Sequence, residues 1–386
     1  LRICLVSEEF PLETQKGGIA TYQYLMAKIM LKNKCDVHII CKTASAEDKY
    51  IVYEGINLHM ISEKNEENYR KRVCGKMKEL ENEIDIFEVA DWKAEAHYYI
   101  SDRKKPVVIK LHTPYIIWNK FNEVKETEEA QKVSKYEIED ILNSDAIYSC
   151  SESLKNLLKK EIIELENKEI RVVNNPIIQF EMNRKEKVKK DIILYVGSLE
   201  QRKGVLVLAN ELNDFFEKDT FHKVVFIGKD THRNKFNRST KELIINYIEP
   251  KYRDRVFFLG HLSFEKISKY YSDVKVAIFP SLYENFPYVL IEAMNFGCVC
   301  IGSKNGGMSE IIEDGINGFL CNPYKKGDIL KKIEKVILLE EKKYKEISKN
   351  AKVTLKKVAP DKIFKETMEV YKEAIKSFNN DRRENV

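Results

Sequence analysis

Proline and glycine are scarce, at 9 and 15 of 386 residues. That scarcity excludes collagen-like and low-complexity chains. No apolar run approaches the roughly 18 residues that a membrane-spanning helix needs. The apolar opening, residues 1–6, is short, with only Arg2 ahead of its core and no small-residue cleavage site. It reads as a strand rather than a secretory signal, so a cytosolic location is expected. Strong charge of one sign is also missing: 66 Lys+Arg against 61 Asp+Glu leave +5, interleaved along the chain. Nucleic acid is therefore not an expected partner. The weak basic character permits peripheral contact with the inner face of an anionic membrane. The densest basic stretch, residues 184–190, reads as a solvated linker. The eight cysteines form no C-x-x-C and no Cys/His group with zinc spacing, so reduced core thiols are expected.

What the chain does have is alternation. Strand-like runs at 3–6, 37–41, 57–61, 84–89, 107–111, 146–149 and 170–173 are separated by helical stretches such as 22–31, 65–81 and 124–142. After Asn174-Asn175-Pro176 and a charged break over 181–190, further runs follow at 192–196, 224–227, 256–259, 276–279, 299–301 and 318–321. The pattern predicts α/β architecture, with two doubly wound parallel-sheet domains of similar size joined near residue 180 and a cleft between them. The region 329–378 is helical and charged, and Pro360 should interrupt it. In such sheets, ligands sit beyond the carboxyl ends of strands.

The motifs lie there. In FPSLYENFPYVLIEAMNFG (279–297), Pro287 suits a first helical turn and Gly297 a helix end. Glu284 lies in the loop and Glu292 in the helix, spaced so that both carboxylates could face one crevice. The spacing equally allows an ordinary helix N-terminal carboxylate and an ordinary helical glutamate. In GSLEQRKG (197–204), Arg202 and Lys203 stand at a helix start, where they and the helix dipole could neutralise a diphosphate. Gly17-Gly18 opens the first helix and would let backbone amides approach a phosphate, or simply form a turn. A dinucleotide fingerprint is absent and Lys42 ends the second strand, which disfavours NAD. His112, in LHTP, follows a strand and would face the cleft, as a site residue or as a satisfied loop histidine. Asp91 and Trp92, in the run that starts at Glu88, offer an acid beside a ring, a ligand platform or plain packing. His38 and His59 lie in strands and read as structural. No D-x-D occurs.

The Glu-x7-Glu of PSLYENFPYVLIEAMNFG, the Gly-Gly-x-x-Glu of VCIGSKNGGMSEIIEDGINGFLCNP and VGSLEQRKG together resemble retaining GT-B glycosyltransferases of family 4, the glycosyl transferases of group 1. The resemblance covers nearly the whole chain and is strongest over 191–323. It implies two Rossmann-like domains: an acceptor domain, 1–180, joined by a C-terminal helix, 360–386, and a nucleotide-sugar domain, 181–359. It implies a hexosyl or N-acetylhexosaminyl transferase that retains configuration, requires no cofactor or metal, and takes a nucleotide sugar such as a UDP-sugar. The acceptor would be a hydroxyl-bearing glycan, lipid-linked, protein or small-molecule compound. Glu284 would contact the sugar hydroxyls and Glu292 the ribose, with Ser198, Asn285, Phe286 and Pro287 in the donor site. His112 would lie near the anomeric carbon, and Gly17 and Gly18 would reach toward the donor phosphates. Arg202 and Lys203 would stabilise the leaving diphosphate. The family often has glycine where Asn285 stands and arginine where Ser198 stands; Arg202 could supply that guanidinium. A nucleotide-sugar epimerase of the same fold, or a binding protein that has lost activity, are the alternatives.

Overall fold

The computed structural model describes residues 1–12, 17–177 and 190–384. The basic stretch at 184–190 lies, except for its last residue, outside the described residues. The chain divides into two compact units. The first comprises Leu1–Ile117, Glu126–Ile178 and Val358–Val386, and the second Trp118–Lys125 and Gln179–Lys357. Residues Trp118–Lys125, expected in the first half, group with the second unit. There the Phe121 ring stacks on Tyr283 at 4.7 Å.

Among the described residues, the first unit holds an eight-stranded sheet: β1 (Arg2–Val6), β2 (Asp36–Lys42), β3 (Lys49–Tyr53), β4 (Ile56–Ile61), β5 (Ile86–Ala90), β6 (Val107–Leu111), β7 (Ala146–Ser149) and β8 (Arg171–Val172). Their order is β3-β4-β2-β1-β5-β6-β7-β8. All pairs are parallel except β3 with β4. Helices cover a parallel sheet on both faces, so its strands are apolar throughout. Every residue of β5 and β6 is buried. Three of the covering helices start at side-chain caps: Asn65 accepts from the Asn68 amide, Thr127 from the Ala130 amide and Ser151 from the Leu154 amide. The expected strands are present, and β3 is an addition. It is an exposed antiparallel edge, turned into β4 by Glu54 and Gly55, both at positive φ.

Among the described residues, the second unit holds six parallel strands: β9 (Lys190–Val196), β10 (Lys223–Ile227), β11 (Val256–Phe258), β12 (Val274–Phe279), β13 (Val299–Ser303) and β14 (Phe319–Cys321). Their order is β11-β10-β9-β12-β13-β14. The chain winds outward from β9 through β10 to β11. It then returns to the other side of β9 to form β12. The charged C-terminal region is three helices, Asp328–Ile337, Glu341–Thr354 and Pro360–Glu384. Pro360 opens the last of these, where a missing amide hydrogen costs nothing. That helix belongs to the first unit, packed on β7 and on the helix Gly18–Lys32. Six of the eight cysteines, Cys4, Cys41, Cys150, Cys298, Cys300 and Cys321, are buried.

Candidate functional site

A doubly wound sheet opens a crevice where its winding direction reverses. In the second unit that point lies between β9 and β12, which pair directly. The loops leaving these two strands carry GSLEQRKG and PSLYENFP. They meet at Gly204, whose φ is +70° and where a Cβ would stand 1.8 Å from the Pro280 carbonyl oxygen. Only glycine fits there. Gly306 does the same for the loop after β13: at φ +86°, a Cβ would lie 2.2 Å from the Glu284 carbonyl oxygen. The next amide, of Gly307, donates to that oxygen at 2.7 Å. The Gly-Gly pair thus grips the main chain of Glu284.

The side chains converge as well. Glu284 is 7% exposed, and its Oε2 accepts from Lys203 Nζ. Arg202 Nη1 lies 3.7 Å from Glu284 Oε1. Arg202 is itself fixed, donating to the Tyr283 carbonyl at 3.1 Å and to Glu200 Oε1 at 2.8 Å. Its backbone amide donates to Asn122 Oδ1 at 3.1 Å. Its Nε is buried without a hydrogen-bond partner among the described residues. Burial opposes charge on Glu200, yet Arg202, Lys203 and Arg233 hold its pKa below the ordinary value. Burial likewise opposes charge on Arg202, but Glu200 and Glu284 raise its pKa. Glu200 was not singled out from sequence; its signal was the acid two positions before the basic pair.

Asn285 and Phe286 are buried, with Phe286 edge-on to Tyr288 at 5.1 Å, and Pro287 precedes the helix Tyr288–Asn295. The Ser198 carbonyl accepts from the Tyr195 hydroxyl at 2.9 Å. Gly297, at φ +77°, closes the helix as expected. Glu292 sits one turn into it. Burial pushes its carboxyl up to about 7, opposed by a hydrogen bond with Tyr271.

In the first unit the reversal lies between β1 and β5. Gly17 and Gly18 open the helix Gly18–Lys32. Its N-terminus meets the Glu9 carboxylate, whose Oε2 accepts from the Ala20 amide at 3.3 Å and lies 2.7 Å from where a Gly17 Cβ would be. Glu9 too was not anticipated. After β5, Asp91 is buried, and its Oδ2 accepts from the His112 amide at 2.9 Å. Burial pushes the Asp91 carboxyl up to about 7. The Trp92 ring lies 5.8 Å from that of Tyr115. Glu137 receives the Lys93 and Tyr115 amides at 2.7 and 2.6 Å, tying the loops after β5 and β6 together.

His112 is 7% exposed, with its ring edge-on to Tyr22 at 4.9 Å. Burial, helped by the charge of Lys110, holds its pKa well below the usual range. The imidazole is therefore neutral near pH 7. Behind it, the Tyr22 and Tyr148 hydroxyls meet at 2.7 Å. Tyr148, and Tyr371 at 2.5 Å, both donate to Glu88. Burial raises the Glu88 pKa. Lys110 Nζ donates to the Val173 carbonyl at 2.7 Å and stands 4.2 Å from the Tyr148 ring centre. Burial pushes this lysine down to about 8. His38 and His59 pair across β2 and β4 at 3.0 Å.

Known proteins resemble both units. Residues 178–354 match the family described as glycosyl transferases group 1, and residues 16–178 match glycosyltransferase family 4. An uncharacterized glycosyltransferase of Methanocaldococcus jannaschii is 25% identical over 97% of this chain and 99% of its own length. A lipopolysaccharide 1,2-N-acetylglucosaminetransferase of Salmonella typhimurium is 26% identical over 42% of each chain. Among solved structures, sucrose-phosphate synthase from Thermosynechococcus elongatus superposes with a TM-score of 0.79 at 16% identity, covering 96% of this chain and 98% of that one. Anabaena HepE, in complex with UDP and glucose, gives 0.70 at 15% identity, covering 96% and 99%. With two parallel Rossmann-like sheets of the GT-B fold and family matches that together run from residue 16 to residue 354, the chain belongs to the group 1 glycosyltransferases.

Proposed function

We propose that this glycosyltransferase takes its sugar from a nucleoside diphosphate sugar held by the second unit and passes it, with retention, to a hydroxyl acceptor bound by the first. The observation that carries the reading is the meeting of Lys203, Arg202 and Glu284 at the reversal point of the second sheet. Two cations and a carboxylate on loops pinned by Gly204 and Gly306 supply what a diphosphate and a sugar hydroxyl respectively need. Asn285, Phe286, Pro287 and Ser198 complete the donor site in this reading, and Glu292 takes the ribose hydroxyls. UDP is the first nucleotide to try, because the HepE structure holds it.

The reaction is read as attack on the face that the diphosphate leaves. The bond from the anomeric carbon to the phosphate oxygen breaks, and its electron pair stays on that oxygen. The acceptor oxygen bonds to the carbon and its proton passes to the departing diphosphate. Arg202 and Lys203 stabilise the growing negative charge, so no metal is invoked. By resemblance, His112 serves the reacting carbon, and its neutral imidazole suits a hydrogen bond rather than a fixed charge. Asp91 and Trp92 are read as acceptor contacts.

A panel of nucleotide sugars tests this by thermal shift. At ligand about 100-fold above Kd, the true donor should add roughly 2.7 kcal/mol of stability. Lys203→Ala should abolish most of that shift. With a donor in hand, NMR of the first product reads the anomeric configuration. A panel without any stabilising nucleotide sugar overturns the donor assignment, and an inverted product overturns retention.

A further inference from the structure

We propose that Glu284 is a resident anion for the cations that receive the diphosphate, so that donor binding exchanges one anion for another. The idea rests on the reading above, in which Lys203 and Arg202 face the diphosphate. In the structure that duty is already taken. Lys203 Nζ donates to Glu284 Oε2, and Arg202 Nη1 stands 3.7 Å from Oε1. The side chains are largely shielded, at 9% exposure for Glu284, 10% for Arg202 and 18% for Lys203. A diphosphate arriving at the same ammonium would bring like charge to contact distance with a carboxylate in a partly desolvated place. Such an arrangement is strongly unfavourable. The carboxylate must therefore give up the lysine.

The main chain around it is not free to follow. The Glu284 carbonyl is held by the Gly307 amide at 2.7 Å, and the Leu282 amide donates to the Arg202 carbonyl at 2.8 Å. Gly204 and Gly306 press the loops together at distances that admit no Cβ. The exchange is thus a side-chain rotation on a fixed loop. With a nucleotide sugar, the released carboxylate finds sugar hydroxyls to accept from. With the bare nucleoside diphosphate it finds none. Its return to Lys203 then competes with the nucleotide, favouring the donor over the product and helping the spent diphosphate leave. The same pairing keeps the cations neutralised before any ligand arrives.

Calorimetry on the full chain tests this with two probes, UDP and inorganic pyrophosphate. Glu284→Gln keeps the shape and removes the competing charge, and Glu284→Ala serves should that variant fail to fold. Either is expected to tighten both probes by about tenfold or more at low salt, with the gain shrinking as salt is added. Probes that bind a folded Glu284 variant no better than wild type, or that bind neither protein, overturn the exchange. Lys203→Ala separates this failure from failure of the underlying reading. A loss of affinity there, beside an unchanged Glu284 variant, leaves the phosphate site standing and removes only the exchange. Affinity unchanged by Lys203→Ala removes the site itself.

Discussion

Gly306→Ala should damage the site from a position that carries no chemistry. At φ +86° an alanine is strained, and its Cβ would fall 2.2 Å from the Glu284 carbonyl oxygen and 3.0 Å from the Glu284 nitrogen. The backbone term costs roughly 1–2 kcal/mol. Pushing the tight loop aside costs roughly 1–3 kcal/mol more. Together these make about 2–5 kcal/mol, a fall in Tm of roughly 5–15 °C for a unit of this size. Gly315→Ala is the matched control: its φ is +80°, but nothing lies within 4 Å of the added carbon. It should show the backbone term alone. Scanning calorimetry of both variants gives the stability difference, and rates measured well below both midpoints give the effect on transfer. Gly306→Ala should lose transfer even where it is fully folded, because the Glu284 carbonyl can no longer keep its bond to Gly307. Equal falls in Tm for the two variants, together with a normal rate for Gly306→Ala, would refute the idea that this glycine positions the glutamate.

Glu292, pushed up to about 7 by burial, should ionise to accept the ribose hydroxyls. Affinity for a nucleotide sugar, whose diphosphate has no group titrating in this range, should therefore rise from about pH 6 to about pH 8 in wild type, with a flat profile in Glu292→Gln; calorimetry across that range checks it, and parallel profiles would remove the role. His112→Ala should lower turnover far more than donor affinity, and a normal rate would leave this residue to packing against Tyr22. Lys110 is pushed down to about 8 by burial, so above that pH the unfolded chain holds a proton that the folded chain has shed. Relative to Lys110→Met, wild-type stability should be flat below about pH 8 and rise toward about pH 10 in denaturant titrations, and a constant difference would place the charge elsewhere.

Most strands were legible because a parallel sheet covered on both faces demands unbroken apolar runs, and the loops after them announced themselves by composition. The edge strand β3 was not legible. Its residues are exposed, so KYIVY carries no core signal, and its turn is Glu54-Gly55 rather than a stronger hairpin pair. Within β6, Lys110 was hidden for the opposite reason: four apolar neighbours mark the strand as buried, while the carbonyl that accepts from it is 63 positions away. The candidate site divides in the same way. Glu284, Arg202 and Lys203 were each identifiable from local motifs. The Lys203–Glu284 pairing spans 81 positions and follows from the reversal of winding, which places β12 against β9. Gly306 and Gly307 read as a motif, but the reason for them, the main chain of Glu284, appears only when the loops are side by side. Glu9 gave no signal at all, since an acid before a glycine pair has no fixed meaning until the helix N-terminus is beside it.

The last helix has a consequence for how the chain is made. Tyr371 is fully buried in the first unit and donates to Glu88, a residue synthesised 283 positions earlier. Until that hydroxyl arrives, Glu88 has one fewer donor to offset its burial, and a flank of β7 lacks its cover. The second unit has no such debt, for its six strands and their connecting helices are contiguous apart from Trp118–Lys125. Domains usually mature in the order in which they leave the ribosome. Here that order is reversed: the first sheet to emerge is the last to be finished. A nascent chain stalled before residue 358 would therefore display a closed second sheet beside an open first one, and a truncation there would injure the half of the molecule most distant in sequence.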